Sequence, residues 1–314
     1  GPIEEVFAHA EEVKGRSRKP LLAEGAWESA KLSYRLATID CEMDLDITLE
    51  GAQYSYPPQD QEAVRQLFQE LEFHRFLTEL GGEMKSLSSD QYVCVTEDEQ
   101  LRELIALLSE AETISIDTET TSLNPMLAEL VGVSFCVDDE RAFYVPIGHT
   151  GDGASRQLPT ERVKLYLKSV LGNPSKRFVG QNLKYDAVIL ARAGMPLRNI
   201  GGDTLLASYL LNPGRRSHKL DGLALTWLQH KMVPYEEATS ETDGAFAPVP
   251  LDVATHYAAE DAHVVHQLHP KMSSALEEAD LGALYRDVEV PLVAVLGSME
   301  QHGILLDVEL LSDY

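Results

Sequence analysis

The sequence predicts an α/β protein: a three-layer domain on a mixed sheet, with helical segments flanking it at both ends. Two observations support this. Short apolar or β-branched runs near 92–95, 114–116, 131–137, 142–145 and 177–180 alternate with segments of helical period. The runs at 131–137 and 142–145 are separated by little more than the acidic turn Asp138-Asp139-Glu140, so with the run before them they form a meander, followed by helix–strand–helix.

Taken in order, residues 1–50 are helical in pattern and rich in Ala, Leu and Glu. Residues 51–87 hold a linker at 54–60 with Pro57-Pro58, then an amphipathic helix over 61–80 carrying Val64, Leu67, Phe68, Leu71 and Phe76, stopped by Gly81-Gly82. The α/β domain spans 88–280. A helix near 97–109 precedes the strand that enters Asp117, and Thr160 caps a helix over 160–171. A helix over 184–193 follows the 177–180 strand, and Asp203 caps the next one. The segment 239–250, rich in Ser, Thr, Gly and Pro, reads as a mobile loop. It leads into a helix over 251–268, which Pro270 should end or kink. Residues 281–314 are a further helical piece.

Three short acidic motifs carry the chemistry. In Asp117-Thr118-Glu119, residues i and i+2 of a strand face one side, so two carboxylates lie together at a strand end. Such a pair is stable mainly with a cation between its members, and oxygen ligands suit Mg²⁺ or Mn²⁺. Ordinary turn acids after a strand give the same tripeptide. In Asn182-Leu183-Lys184-Tyr185-Asp186, Asn182 falls in a loop and Asp186 in the first turn of a helix, where the helix dipole alone would favour an acid. In Tyr257-Ala258-Ala259-Glu260-Asp261, the phenol and the last carboxylate are one helical turn apart and can reach one centre. A buried tyrosine beside a surface acid has the same spacing.

Composition sets limits. The net charge is −25, and from residue 91 onward there are 17 Lys and Arg against 33 Asp and Glu. That balance is awkward for neutralising duplex phosphates, although a few single-stranded nucleotides need less of it and bound metal ions reverse the local charge; binding to nucleic acid by this stretch alone should be weak and salt-sensitive. No apolar run approaches the ~20 residues needed to span a bilayer, and no secretory leader is evident. Cys41, Cys94 and Cys136 have no paired spacing and read as free thiols of a reducing cytoplasm. Gly1-Pro2 looks like a protease-cleavage scar.

The three motifs, in this order, resemble the exonuclease motifs of the proofreading domain of bacterial DNA polymerase I (family A), in the branch that carries Tyr in the third motif. Gly180-Gln181 before the second motif, Ala262 after the third, and Tyr209-Leu210-Leu211-Asn212-Pro213-Gly214 extend the likeness. The stretch 287–311, with Met299-Glu300-Gln301-His302-Gly303-Ile304, resembles the first helices of the polymerase domain. The stretch 19–80, with Lys31-Leu32-Ser33-Tyr34-Arg35-Leu36-Ala37-Thr38, resembles the tail of the 5′ nuclease domain and its linker, without the acids that a 5′ nuclease needs.

The resemblance implies a ribonuclease H-like exonuclease fold that releases nucleoside 5′-monophosphates from a single-stranded DNA 3′ end with two divalent ions, Mg²⁺ or Mn²⁺. Asp117, Glu119 and Asp261 would hold the first ion. Asp117 would bridge to the second, which Asp186 would hold through its water shell. Tyr257 and Glu119 would orient the attacking water. Leu123 would wedge against the terminal base, with Gln181 and Asn182 near the terminal nucleotide. Tyr235 would stack on single-stranded DNA, or simply pack on the domain. Arg215, Arg216 and Lys219, the densest basic cluster, would touch phosphates, or only keep a loop solvated. The rest of the polymerase would act in cis, in a cytoplasmic, nucleoid-associated protein; this stretch alone should not polymerise. Two other readings share the acids: a non-catalytic DNA-end-binding module, and a ribonuclease D-like RNA exonuclease.

Overall fold

The computed structural model describes residues 2–16, 18–39, 61–71, 73, 76 and 92–313. Cys41, the linker at 54–60, Gly81-Gly82 and much of the helix expected over 61–80 lie outside them. The chain divides into two units, Gly1–Gln59 and Asp60–Tyr314. In the first, α1 (Ile3–Ala8) meets α3 (Ala26–Ala37) through Phe7, whose ring packs edge-on against Trp27 at 5.1 Å, and α2 (Arg18–Leu21) also packs on α3. The second opens on α4 (Gln61–Glu70).

Its sheet has six strands: β1 (Tyr92–Cys94), β2 (Thr113–Thr120), β3 (Leu130–Cys136), β4 (Ala142–Pro146), β5 (Arg177–Gly180) and β6 (Ile200–Asp203). Their order across the sheet is β1-β4-β3-β2-β5-β6. The β2-β3-β4 meander is antiparallel, while β1 runs parallel to β4, β5 to β2, and β6 to β5. The sheet is therefore mixed, as expected for a ribonuclease H-like arrangement.

Strand alternation sorts residues between the two helical layers. Ile114, Ile116, Val133, Phe135, Phe143 and Val145 share one core with α5 (Asp98–Glu110), α6 (Thr160–Leu171) and α7 (Leu183–Arg192). The opposite face takes α11 (Leu251–Glu278), with Val131 and Tyr144 beneath Ala254 and Ala258. Beside α11 lie α8 (Thr204–Leu211) and α9 (Leu220–Leu228), which pack Ala207, Leu223 and Ala224 against Val264, Leu268, Met272 and Leu276. The short α10 is Tyr235–Ala238. Tyr144 reaches into a gap that only glycine leaves: a Cβ on Gly132 would overlap its ring, and its hydroxyl bonds His149 Nε2 at 2.7 Å.

Three local expectations need correction, and one strand was missed. Pro159, not Thr160, is the residue that caps α6, and it offers no side-chain bond. The helix α11 does not end at Pro270 but runs through it to Glu278. A proline in a helix removes one hydrogen bond at about 3 kcal/mol, but Met272 and Leu276 beyond it are buried and hold the helix in place. The segment 239–250 is tied down rather than loose: Thr150 N donates to Ala247 O at 2.8 Å, and Phe246 and Val249 are buried. Finally, β6 was not foreseen. Gly201 and Gly202 give it no β-branched signature, but a Cβ on Gly202 would collide with His269 of α11.

Past α11, the chain forms α12 (Gly282–Leu284), a π-helical turn at Tyr285–Glu289, α13 (Val290–His302) and α14 (Val308–Ser312). α13 packs on α7, where Lys184 pairs with Glu300 and Gly297 lies against Val188. The Tyr285 hydroxyl bonds both the backbone N–H (2.6 Å) and the carbonyl (3.1 Å) of Asp203. Among the described residues, no helix is long and apolar enough to cross a membrane.

Candidate active site

The α11 face of β2 presents Asp117 and Glu119, and α11 answers with Tyr257 and Asp261. One oxygen each from Asp117, Glu119 and Asp261 lies within 4.8 Å of the others, a group able to hold a metal ion. Asp186 enters from the first turn of α7 and is buried. It stands outside that three-acid group but lines the same cleft, and it accepts a hydrogen bond from Thr118 Oγ1 at 2.5 Å.

Burial dominates the electrostatics. It raises the pKa of Asp117, Glu119, Asp186 and Asp261 well above the usual carboxylate range. Neighbouring acids add to this: Asp261 acts on Asp117, and Asp117 on both Glu119 and Asp186. For Asp261, the Tyr257 hydroxyl bonds the carboxylate and opposes the shift. Tyr257 itself is pushed up, by burial first and then by Asp261, so its phenol keeps its proton. Among the described residues no basic side chain pairs with any of the four acids. Glu119 Oε1 is buried without a hydrogen-bond partner. An orphaned anionic oxygen amid like charges, with only oxygen donors around it, fits a hard divalent cation.

Two connected hollows adjoin these acids. The larger, about 630 Å³, has Gln181, Asn182, Lys219 and the 232–236 segment in its walls; the smaller, about 480 Å³, is edged by Leu123 and the 244–246 segment. Leu123 is 96% exposed, at the tip of the loop after β2. Asn182 sits in the left-handed region (φ 58°) as the turn into α7. Gln181 is held at both ends of its amide, by Thr204 Oγ1 (2.5 Å) and by His218 O (2.8 Å). Tyr235 is both packed and exposed to the cleft: its ring stacks on Phe246 at 6.2 Å, and its hydroxyl donates to Gly244 O at 2.9 Å. The basic cluster is divided. Lys219 faces the cleft, whereas Arg215 turns inward to Gly222 O and Thr226 Oγ1, each at 3.0 Å. Arg216 lines neither hollow.

Several supporting residues escaped the sequence reading. Thr118 fixes Asp186. Tyr185, the neighbour of Asp186, bonds Thr120 Oγ1 at 2.5 Å and donates to Ser122 O, bracing the Leu123 loop. Asp203 does cap α8, through Leu205 N and Leu206 N, but it also accepts from Asn182 N (3.1 Å) and Leu183 N (2.8 Å). Its cap signature was visible; its second role depends on β6 lying beside β5. Cys94 and Cys136 are free thiols.

Comparison with known proteins agrees with this geometry. Residues 92–277 match the family described as 3′–5′ exonuclease. DNA polymerase I of Pseudomonas aeruginosa is 36% identical over 99% of this chain and 36% of its own length. DNA polymerase I of Rhizobium leguminosarum is 38% identical over 63% of this chain and 21% of its own. The chain thus spans about a third or less of these relatives. Among solved structures, the POL domain of Pol1 from M. smegmatis, in complex with DNA primer-template and dNTP, shares the fold: TM-score 0.55 at 22% identity, over 70% of this chain and 34% of that one. The sheet order, the three converging acids and these matches lead to one conclusion: the chain belongs to the 3′–5′ exonuclease family, in the form found in bacterial DNA polymerase I.

Proposed function

We propose that this 3′–5′ exonuclease trims the 3′ end of single-stranded DNA with two divalent ions, Mg²⁺ or Mn²⁺, and releases nucleoside 5′-monophosphates. The observation that carries the reading is the Asp117, Glu119 and Asp261 group beside Tyr257. Asp117, Glu119 and Asp261 would hold one ion, and Asp117 with Asp186 the second. Bound there, the ions would stabilise the attacking and leaving oxygens of an in-line displacement at phosphorus.

The chain's own residues supply position. Tyr257 keeps its proton and, with Glu119, orients the incoming water. Thr118 keeps Asp186 turned to the cleft. Leu123 meets the terminal base, while Gln181 and Asn182 border the terminal nucleotide. Tyr235 offers a face for a base, a contact that tolerates any sequence. Lys219 is the basic residue best placed for a phosphate; Arg215, engaged internally, serves its loop. In the full-length protein the module would proofread for a polymerase in cis, in the cytoplasm at the nucleoid.

The test is a 5′-labelled single strand incubated with Mg²⁺ or Mn²⁺ beside Asp117→Ala. A ladder shortening from the 3′ end, lost in the variant and with chelator, is the expected result. No ladder at enzyme excess and low salt would leave only a binding module, and faster loss of a matched RNA strand would redirect the reading to RNA.

A further inference from the structure

The third motif contains a second buried acid, to which the proposed function assigns no part. Glu260 immediately precedes Asp261, is 3% exposed, and stands outside the three-acid group. Both of its oxygens are engaged elsewhere. Oε1 lies 2.8 Å from Nε2 of His230, itself 4% exposed, and Oε2 accepts the backbone N–H of Val233 at 2.7 Å.

These bonds reach a segment with little other regular support. α9 ends at Leu228, the left-handed backbone of Gln229 (φ 56°) turns the chain aside, and the next helix starts only at Tyr235. Between them, Met232, Val233 and Pro234 form one side of the larger hollow and lead into Tyr235. Glu260 therefore fastens that wall at two successive points, and it does so from the residue adjoining a proposed metal ligand. A carboxylate suits this task because a buried backbone N–H and a buried imidazole both need a partner, and one acid satisfies them together.

We infer that Glu260, acting through His230 and Val233, is a positioning residue that sets the distance between the strand-binding wall at 232–235 and the carboxylate cluster. It governs how well a nucleic-acid strand is held and leaves the chemistry of the cluster itself to the other acids. The inference rests on the exonuclease reading above, in which a single strand lies along that wall.

The experiment is steady-state release of nucleotides from a 5′-labelled oligothymidine with Mg²⁺, using the whole chain. It compares wild type with Glu260→Leu, His230→Leu and Glu260→Gln, with Asp117→Ala alongside. Breaking the clasp should raise KM by about tenfold in Glu260→Leu and by roughly three- to tenfold in His230→Leu, with kcat within about threefold of wild type. Glu260→Gln keeps an acceptor for Val233 and a partner for the imidazole, and should restore KM to within about threefold. An unaltered KM in both leucine variants overturns the inference, as does a fall in kcat at unaltered KM, or a glutamine variant no better than leucine. Should Glu260→Leu fail to fold, His230→Leu, which leaves the acid in place, decides the same question. A wild type that releases nothing would instead refute the exonuclease reading.

Discussion

Thr118 shows how closely a single side chain is written into the site. It lies between two acids that point to the other face of β2, and its hydroxyl reaches Asp186, 68 residues further on. Thr118→Val keeps the shape and removes the donor. The loss should cost about 1 kcal/mol of stability and roughly tenfold in nucleotide release, the usual toll of disturbing a group behind a metal ligand. Urea midpoints and rates on one labelled strand measure both. Asp261 offers the opposite case. In the absence of metal, burial and the neighbouring acids oppose its ionisation, so Asp261→Asn, which removes that cost, should melt a few degrees higher than wild type in chelator. Added Mg²⁺ should raise the wild-type midpoint more than that of the variant.

His269 brings pH into play away from the acids. Burial, followed by the charges of Arg177 and His266, lowers its pKa from 6.5 to about 4. A histidine with a depressed folded value binds fewer protons when native than when unfolded. Its contribution is complete above pH 6.5 and is lost as pH falls toward 4. His269→Gln should therefore flatten the decline in urea midpoint over that window.

At the scale of elements, α11 is the organiser. It covers β2, β3 and β4, carries Tyr257 and Asp261 to the cleft, and fastens the cleft wall through Glu260. Pro270 interrupts its hydrogen bonding without ending it. Pro270→Ala should restore one backbone donor and stabilise the protein by about 1–3 kcal/mol, seen as a higher urea midpoint with the exonuclease rate unchanged. Much of this element was legible beforehand, because a phenol and an acid at i and i+4 must share a helical face, just as Asp117 and Glu119 at i and i+2 must share a strand face. The β6 strand was not legible. Its Gly201 and Gly202 are selected by the close approach of Arg177 and His269, contacts that exist only once distant segments have met. The clasp from Glu260 to His230 was hidden for the same reason: 30 residues and a left-handed turn separate the partners. The divided basic cluster makes a related point. Arg215 and Lys219 are close in sequence, yet one turns into its own loop and the other faces the cleft.

Over the whole molecule, charge and architecture pull against each other. A chain of net charge −25 gathers four acids around a cleft that, on the proposed function, takes an anion. Bound cations would offset that field locally, and few lysines or arginines remain to hold phosphates at a distance. Affinity for single strands should accordingly be weak and fall as monovalent salt rises, with a log–log slope of about −1 to −2, each phosphate contact contributing about −0.7. Fluorescence anisotropy of a labelled oligonucleotide, with Ca²⁺ in place of Mg²⁺, gives that slope.

The hydroxyl of Tyr285 adds one more consequence. It grips both backbone polar groups of Asp203, whose carboxylate in turn holds the amides of Asn182 and Leu183. Solvent deuterons can reach those amides only when the turn beside the cleft loosens. The exchange clocks of three backbone hydrogens thus keep time with the seating of a helical turn that begins eight residues beyond the last residue of the exonuclease match. Tyr285→Phe should make all three run fast together while the amides of β2 and β3 keep their pace.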